Sequence, residues 1–127
     1  MNVVDSSAWL EYFADGPGAA YFATAIEASA DLVVPTVSVY EVFKRVLQQR
    51  NEHAALTAVA VMQQGELVDL TAPLALSAAT ISVKHKLPMA DSIMYATARA
   101  FSATLWTQDA DFEHLPHVRF RAAAPRR

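Results

Sequence analysis

Short apolar runs alternate with longer helical ones along this chain, and that alternation limits its fold more than any other feature. Asn2–Asp5 reads as a strand, and Ser6 or Ser7 can cap a helix carrying Trp9, Leu10 and Phe13. Gly16-Pro17-Gly18 breaks that helix, and another follows through Tyr21, Phe22 and Ile26. Leu32–Val34 is a short strand ended by Pro35. Thr36 to Arg50 is helical, with Val39, Val42, Phe43 and Val46 at i, i+3, i+4, i+7 spacing, and Glu52 to Gln64 forms its hairpin partner. Glu66–Leu70 is a strand, Pro73 to Lys86 a helix, and Pro88 begins another helix reaching Ser102. Thr104–Thr107 and Val118–Phe120 read as the last strands. Strands alternating with helices specify βαβ units, and so an α/β domain with a mostly parallel sheet. In open sheets of this kind ligands bind beyond the carboxyl ends of the strands. The residues at those ends therefore carry the functional question.

The 127 residues fit one domain. The globular unit is expected over residues 1–121, with residues 122–127 as a flexible tail. There is no cysteine, which excludes a disulfide scaffold or a thiolate zinc site. Glycine occurs only at 16, 18 and 65, which excludes both common glycine-rich phosphate loops. The start, Met1-Asn2-Val3-Val4-Asp5, lacks the pattern of a signal peptide. The longest uncharged stretch, Leu70 to Val83, is too short to span a membrane and contains Pro73. A soluble cytoplasmic protein is the expectation. The formal net charge of −3 is not the usual footprint of a nucleic-acid binder. If four of the 13 carboxylates hold a cation, however, nine remain to face ten Lys and Arg.

Four acids fall at strand ends or first helical turns. Asp5 follows Val3-Val4; it could be a metal ligand at the sheet edge or an N-cap. Glu41 lies one turn into its helix, where Lys44 and Arg45 also stand at ion-pair spacing. Asp91 sits in Leu87-Pro88-Met89-Ala90-Asp91-Ser92, in the first turn that Pro88 opens, where the helix dipole alone would favour an acid. Ala90, Ala96, Ala98 and Ala100 suggest a small-residue face lying close on the sheet. Asp109 and Asp111 follow the strand Thr104–Thr107; the Asp-x-Asp pattern suits a turn and also delivers carboxylates to a strand end. Asp109 is nearer that end, so it is the favoured ligand, with Asp111 a cap or helper. Two full charges about 5 Å apart repel by roughly 3 kcal/mol at an effective dielectric of 20. Four converging acids would therefore hold protons or a cation, and oxygen-only ligands suit Mg²⁺ or Mn²⁺.

Taken in order, Val3-Val4-Asp5-Ser6-Ser7, Tyr40-Glu41-Val42, Leu87-Pro88-Met89-Ala90-Asp91-Ser92 and Thr107-Gln108-Asp109-Ala110-Asp111-Phe112 resemble the PIN-domain family, and more narrowly the VapC toxins of type II toxin–antitoxin pairs. The resemblance covers nearly the whole chain. It implies a three-layer domain with a parallel sheet of four or five strands and helices on both faces. It implies Mg²⁺-dependent endonucleolytic cleavage of RNA, with Asp5, Glu41, Asp91 and Asp109 as the acidic quartet. Asp5, Asp91 and Asp109 would bind the metal, and Glu41 would be a ligand or the base toward the attacking water. Ser7 and Thr107 match small hydroxyl positions that support the acids. The same resemblance implies a homodimer and a cognate VapB-like antitoxin that inserts a segment into the acidic cleft. One position departs from it. Many VapC-like chains have glycine four residues after the helical glutamate, where this chain has Arg45 beside Lys44.

Lys84 and Lys86 precede the Asp91 segment and, like Lys44 and Arg45, are candidates for RNA or partner contacts. The basic residues Arg119, Arg121, Arg126 and Arg127 could hold RNA or keep a tail soluble. His53, His85, His114 and His117 form no metal-ligand pattern, and Trp9, Phe13, Tyr21, Phe22 and Trp106 read as core or interface. Two other functions fit an acidic strand-end cluster. One is a Mg²⁺-dependent phosphatase or phosphotransferase, although the first strand lacks the Asp-x-Asp of a phospho-aspartate hydrolase. The other is a non-catalytic dimeric partner-binding module.

Overall fold

In the computed structural model, which describes residues 1–125, adjacent residues of the central strands face opposite ways. Val3, Val33 and Leu105 enter one core, with Tyr95, Ala98 and Phe112. Val4, Val34 and Trp106 enter another, with Trp9, Phe22, Val42 and Met62. A strand buried on both faces must be apolar at every position, which is why these segments read as continuous runs. The strands are β1 (Asn2–Val4), β2 (Leu32–Pro35), β3 (Glu66–Val68), β4 (Thr104–Thr107) and β5 (Val118–Phe120). They form one sheet in the order β3-β2-β1-β4-β5, and every pairing is parallel.

On the Trp9 side lie α1 (Ser6–Phe13), α2 (Ala19–Ile26), α3 (Thr36–Gln49) and α4 (Glu52–Met62). On the other lie α5 (Ala72–His85) and α6 (Met89–Ala100), which meet α3 through Ala78, Ile93, Ala96 and Val37. The expected three-layer α/β architecture is present, and its sheet has five strands. Two short 3-10 turns, Ser29–Asp31 and Ala110–Phe112, complete the elements. Arg126 and Arg127, read from the sequence as part of the basic tail, lie outside the described residues.

Chain order reverses across β1. The chain steps from β1 to β2 and β3 on one side, then returns to place β4 and β5 on the other. At such a switch point the connections leave in opposite directions and open a crevice at the strands' carboxyl ends. Asp5 follows β1 there, and Asp109 follows β4.

Local expectations are refined. Of the three candidate caps, Asp5 is the N-cap of α1, and its side chain accepts from the amides of Ser7 and Ala8. Thr71 caps α5, so that helix begins one residue before Pro73. The alanines of α6 do not share a face. Ala96 and Ala98 are buried while Ala100 is exposed, because Ser92 through Ala98 are all buried. This helix is wedged between the sheet, α5 and α3, so burial surrounds it instead of marking one stripe.

Candidate active site

Asp5 is 2% exposed. Its Oδ1 accepts from the Ser7 amide at 2.5 Å, the Ser7 hydroxyl at 2.7 Å and the Ala8 amide at 3.3 Å. Its Oδ2 accepts from the Thr107 hydroxyl. That hydroxyl in turn accepts from the Asp109 amide at 2.9 Å. A chain of hydrogen bonds thus joins the end of β4 to the end of β1. The backbone makes the same connection, because the Asp5 amide donates to the Trp106 carbonyl at 3.0 Å and extends the β1–β4 ladder by one rung. Ser7 and Thr107 both stand against Asp5. Burial raises the Asp5 carboxyl above its ordinary range, against the lowering pull of its four hydrogen bonds.

Asp91 occupies the first turn of α6. Its carboxyl is pushed up to about 7, first by burial and then by the negative charges of Asp109, Asp5, Glu41 and Asp111. All five acids therefore share one electrostatic neighbourhood. Asp91, Asp109 and Asp111 each offer an oxygen within 4.8 Å of the other two. Asp109 also caps the 3-10 turn that follows, accepting from the Asp111 amide at 2.9 Å. That turn brings Asp111, ranked below Asp109 on the sequence, back to the same cluster.

Glu41 enters from α3. Its Oε1 accepts from the Ser6 hydroxyl at 2.8 Å, and the same hydroxyl lies 3.7 Å from Met94 Sδ in α6. Ser6 is absent from the sequence-based set of site residues. Its partner stands 35 positions away, and no local spacing signals that contact.

None of the basic candidates pairs with the acids among the described residues. Lys44 sits over the exposed Tyr40 ring, 5.7 Å from its centroid. Arg45 is exposed on α3, Lys84 is exposed near the end of α5, and Lys86 is its left-handed C-cap. Arg119 stacks over Trp106 at 5.0 Å on the β5 side.

The donor set is entirely carboxylate oxygen, the ligand class of hard divalent cations. Oxygens around Mg²⁺ stand about 2.1 Å from the metal, so opposite ones are about 4.2 Å apart. Neighbouring ones are about 3 Å apart, so the three acids, already within 4.8 Å of one another, would draw together around an ion by side-chain rotation. The raised pKa of Asp91 points the same way: crowded carboxylates take a proton when no cation neutralises them.

The PIN domain family model matches residues 3–118. No curated protein sequence gives a significant match. Among solved structures, the chain is similar to a toxin–antitoxin complex from Klebsiella pneumoniae, with 21% identity, TM-score 0.77, and 94% of this chain and 96% of that chain covered. It is also similar to VapC20 of Mycobacterium tuberculosis, described as a Sarcin-Ricin loop cleaving toxin, with 18% identity, TM-score 0.78, and 93% and 97% covered. A third likeness is to FitAB bound to a DNA fragment, with 18% identity, TM-score 0.70, and 94% of each chain covered. At these identities the structures speak to fold. With the family match over nearly the whole length, they lead to one statement: the chain belongs to the PIN-domain family.

Proposed function

We propose that this protein is a metal-dependent endoribonuclease and the toxin of a toxin–antitoxin pair. The observation that carries the reading is the convergence of Asp5, Glu41, Asp91, Asp109 and Asp111 at the switch point, where burial and four like charges push Asp91 up to about 7. Several structures of similar fold are toxin–antitoxin complexes, and one is a toxin described as cleaving the Sarcin-Ricin loop, which supports RNA as the substrate and an antitoxin as partner. A homodimer that binds a VapB-like antitoxin belongs to the same reading.

In this reading Asp91 and Asp109, expected from the sequence as ligands, would hold Mg²⁺ or Mn²⁺ together with Asp111, and Asp5, the third ligand expected from the sequence, would border the site from β1. The cation supplies neutralisation of phosphate charge and acidification of water. Glu41 accepts the proton of the water that attacks the phosphodiester in line. Thr107 fixes Asp5 against the Asp109 backbone, so two strand ends keep one geometry through the reaction.

The test uses purified, partner-free protein with total cellular RNA, comparing Mg²⁺ with EDTA and the parent with Asp91→Asn. Asp91 is the better position to change, because Asp5 also caps α1. Discrete fragments that require both Mg²⁺ and Asp91 are expected. Intact RNA from folded parent protein, or equal cutting by Asp91→Asn, would overturn the assignment.

A further inference from the structure

Glu41 has the longest side chain of the five acids and is only half-buried. Three torsions separate its carboxylate from α3, so left alone it would sample several rotamers. A base that must meet one water in one orientation loses rate when it wanders. The structure supplies a restraint. Ser6, 8% exposed at the first position of α1, donates its hydroxyl to Glu41 Oε1 at 2.8 Å.

The hydroxyl has one proton and two acceptors in reach, the carboxylate and the Met94 thioether at 3.7 Å. A thioether is a weak acceptor and an ionised carboxylate a strong one, so the proton is committed to Glu41. Ser6 cannot drift, because its neighbour Asp5 is pinned by the Ser7 amide, the Ser7 hydroxyl, the Ala8 amide and Thr107. Met94 is 1% exposed and closes the space behind it. Among the described residues no hydrogen-bond donor reaches Glu41 Oε2. One oxygen is therefore held and the other is free for chemistry.

Resting on the nuclease reading, we propose that Ser6 is a positioning residue: its hydroxyl fixes one Glu41 oxygen so that the other faces the attacking water. Ser6 acts through Glu41 and not through the cation, since it makes no hydrogen bond to Asp91, Asp109 or Asp111 among the described residues. This separates it from Ser7 and Thr107, which serve Asp5.

The experiment is a double-mutant cycle of Ser6→Ala and Glu41→Ala, with single-turnover cleavage of total cellular RNA and Mn²⁺ affinity by titration calorimetry. Ser6→Ala is expected to slow cleavage by about ten- to a hundredfold, the scale of a misplaced catalytic group. Its Mn²⁺ affinity stays within threefold of the parent. Ser6→Ala/Glu41→Ala cleaves no more slowly than Glu41→Ala, because the hydroxyl then has nothing to position. Ser6→Thr, which keeps the hydroxyl, recovers most of the rate.

Cleavage by Ser6→Ala at the parental rate, with Glu41→Ala slow, overturns the assignment of Ser6 and leaves the nuclease reading standing. So do multiplicative losses in the double variant, or a fall in Mn²⁺ affinity that parallels the rate. A folded parent that does not cut, or Glu41→Ala cutting at the parental rate, overturns the reading of the site and this inference with it.

Discussion

Asp91 carries the clearest prediction at the scale of a residue. Its pKa rises from 3.8 to about 7 on folding without metal, so between those values the folded state binds more protons than the unfolded one. Stability then falls as pH rises through that interval and levels off above it. Asp5, shifted in the same direction by burial, reinforces the slope. Metal-free protein is expected to melt at a higher temperature at pH 5 than at pH 8. Asp91→Asn should flatten the difference and raise the pH 8 melting point by a few degrees, on the order of 1 kcal/mol in a domain this size. Mn²⁺ must displace the shared proton, so its apparent affinity should weaken below about pH 7. Calorimetric melting in EDTA at both pH values decides the matter, and a parent that is equally stable at pH 5 and pH 8 would refute this account of the cluster. The acids themselves were legible in the sequence, because carboxylates at strand ends are visible one by one. Ser6 was not: its meaning depends on α1 crossing α3, a tertiary fact with no local signature.

At the scale of elements, a glycine shows how tightly the sheet is joined to its connections. A Cβ at Gly65, just before β3, would stand 2.9 Å from the Leu32 carbonyl oxygen and 2.9 Å from Val34 Cγ2. The first is backbone of the neighbouring strand β2 and cannot swing away. Gly65→Ala is expected to cost about 1–3 kcal/mol by overpacking, seen as a melting-point drop of about 4–11 °C. A melting point within 1 °C of the parent would show that β3 shifts freely. Gly16 offers a contrast. There an added Cβ meets the Glu11 carboxylate, a flexible end that also accepts from the Gly18 amide at 2.8 Å, so the change mainly loosens the turn between α1 and α2. Strand and helix identities were readable because β2 is a short continuous apolar run ended by Pro35, while α3 carries a clear helical period. The alanine face assigned to α6 failed for a physical reason. Periodicity finds one buried stripe, and a helix enclosed on several sides has none. The capping of α1 stayed open in the sequence because Asp5, Ser6 and Ser7 are all good caps, and only the chain's exit from β1 selects Asp5.

Across the whole molecule, charge distribution outweighs the total. Thirteen carboxylates and ten Lys and Arg give −3, which taken alone argues against RNA. Five of those carboxylates, however, share one electrostatic neighbourhood, so the acidic character is concentrated at the carboxyl ends of the strands. On the proposed nuclease reading, the uncompensated acids would repel RNA without a cation and accept it with one, and the exposed Lys44, Arg45, Lys84 and Lys86 would add sequence-independent attraction. RNA affinity should therefore depend on metal even when no bond is cut. Glu41→Gln is suited to show this, since it removes the proposed base while keeping Asp91, Asp109 and Asp111. Its affinity for RNA is expected to rise at least about tenfold from EDTA to Mg²⁺ at constant ionic strength, equivalent to about 1.4 kcal/mol. Filter binding at matched salt measures the change directly. Equal affinity in both conditions would mean that RNA is held away from the acids, and the cluster would then need a different substrate.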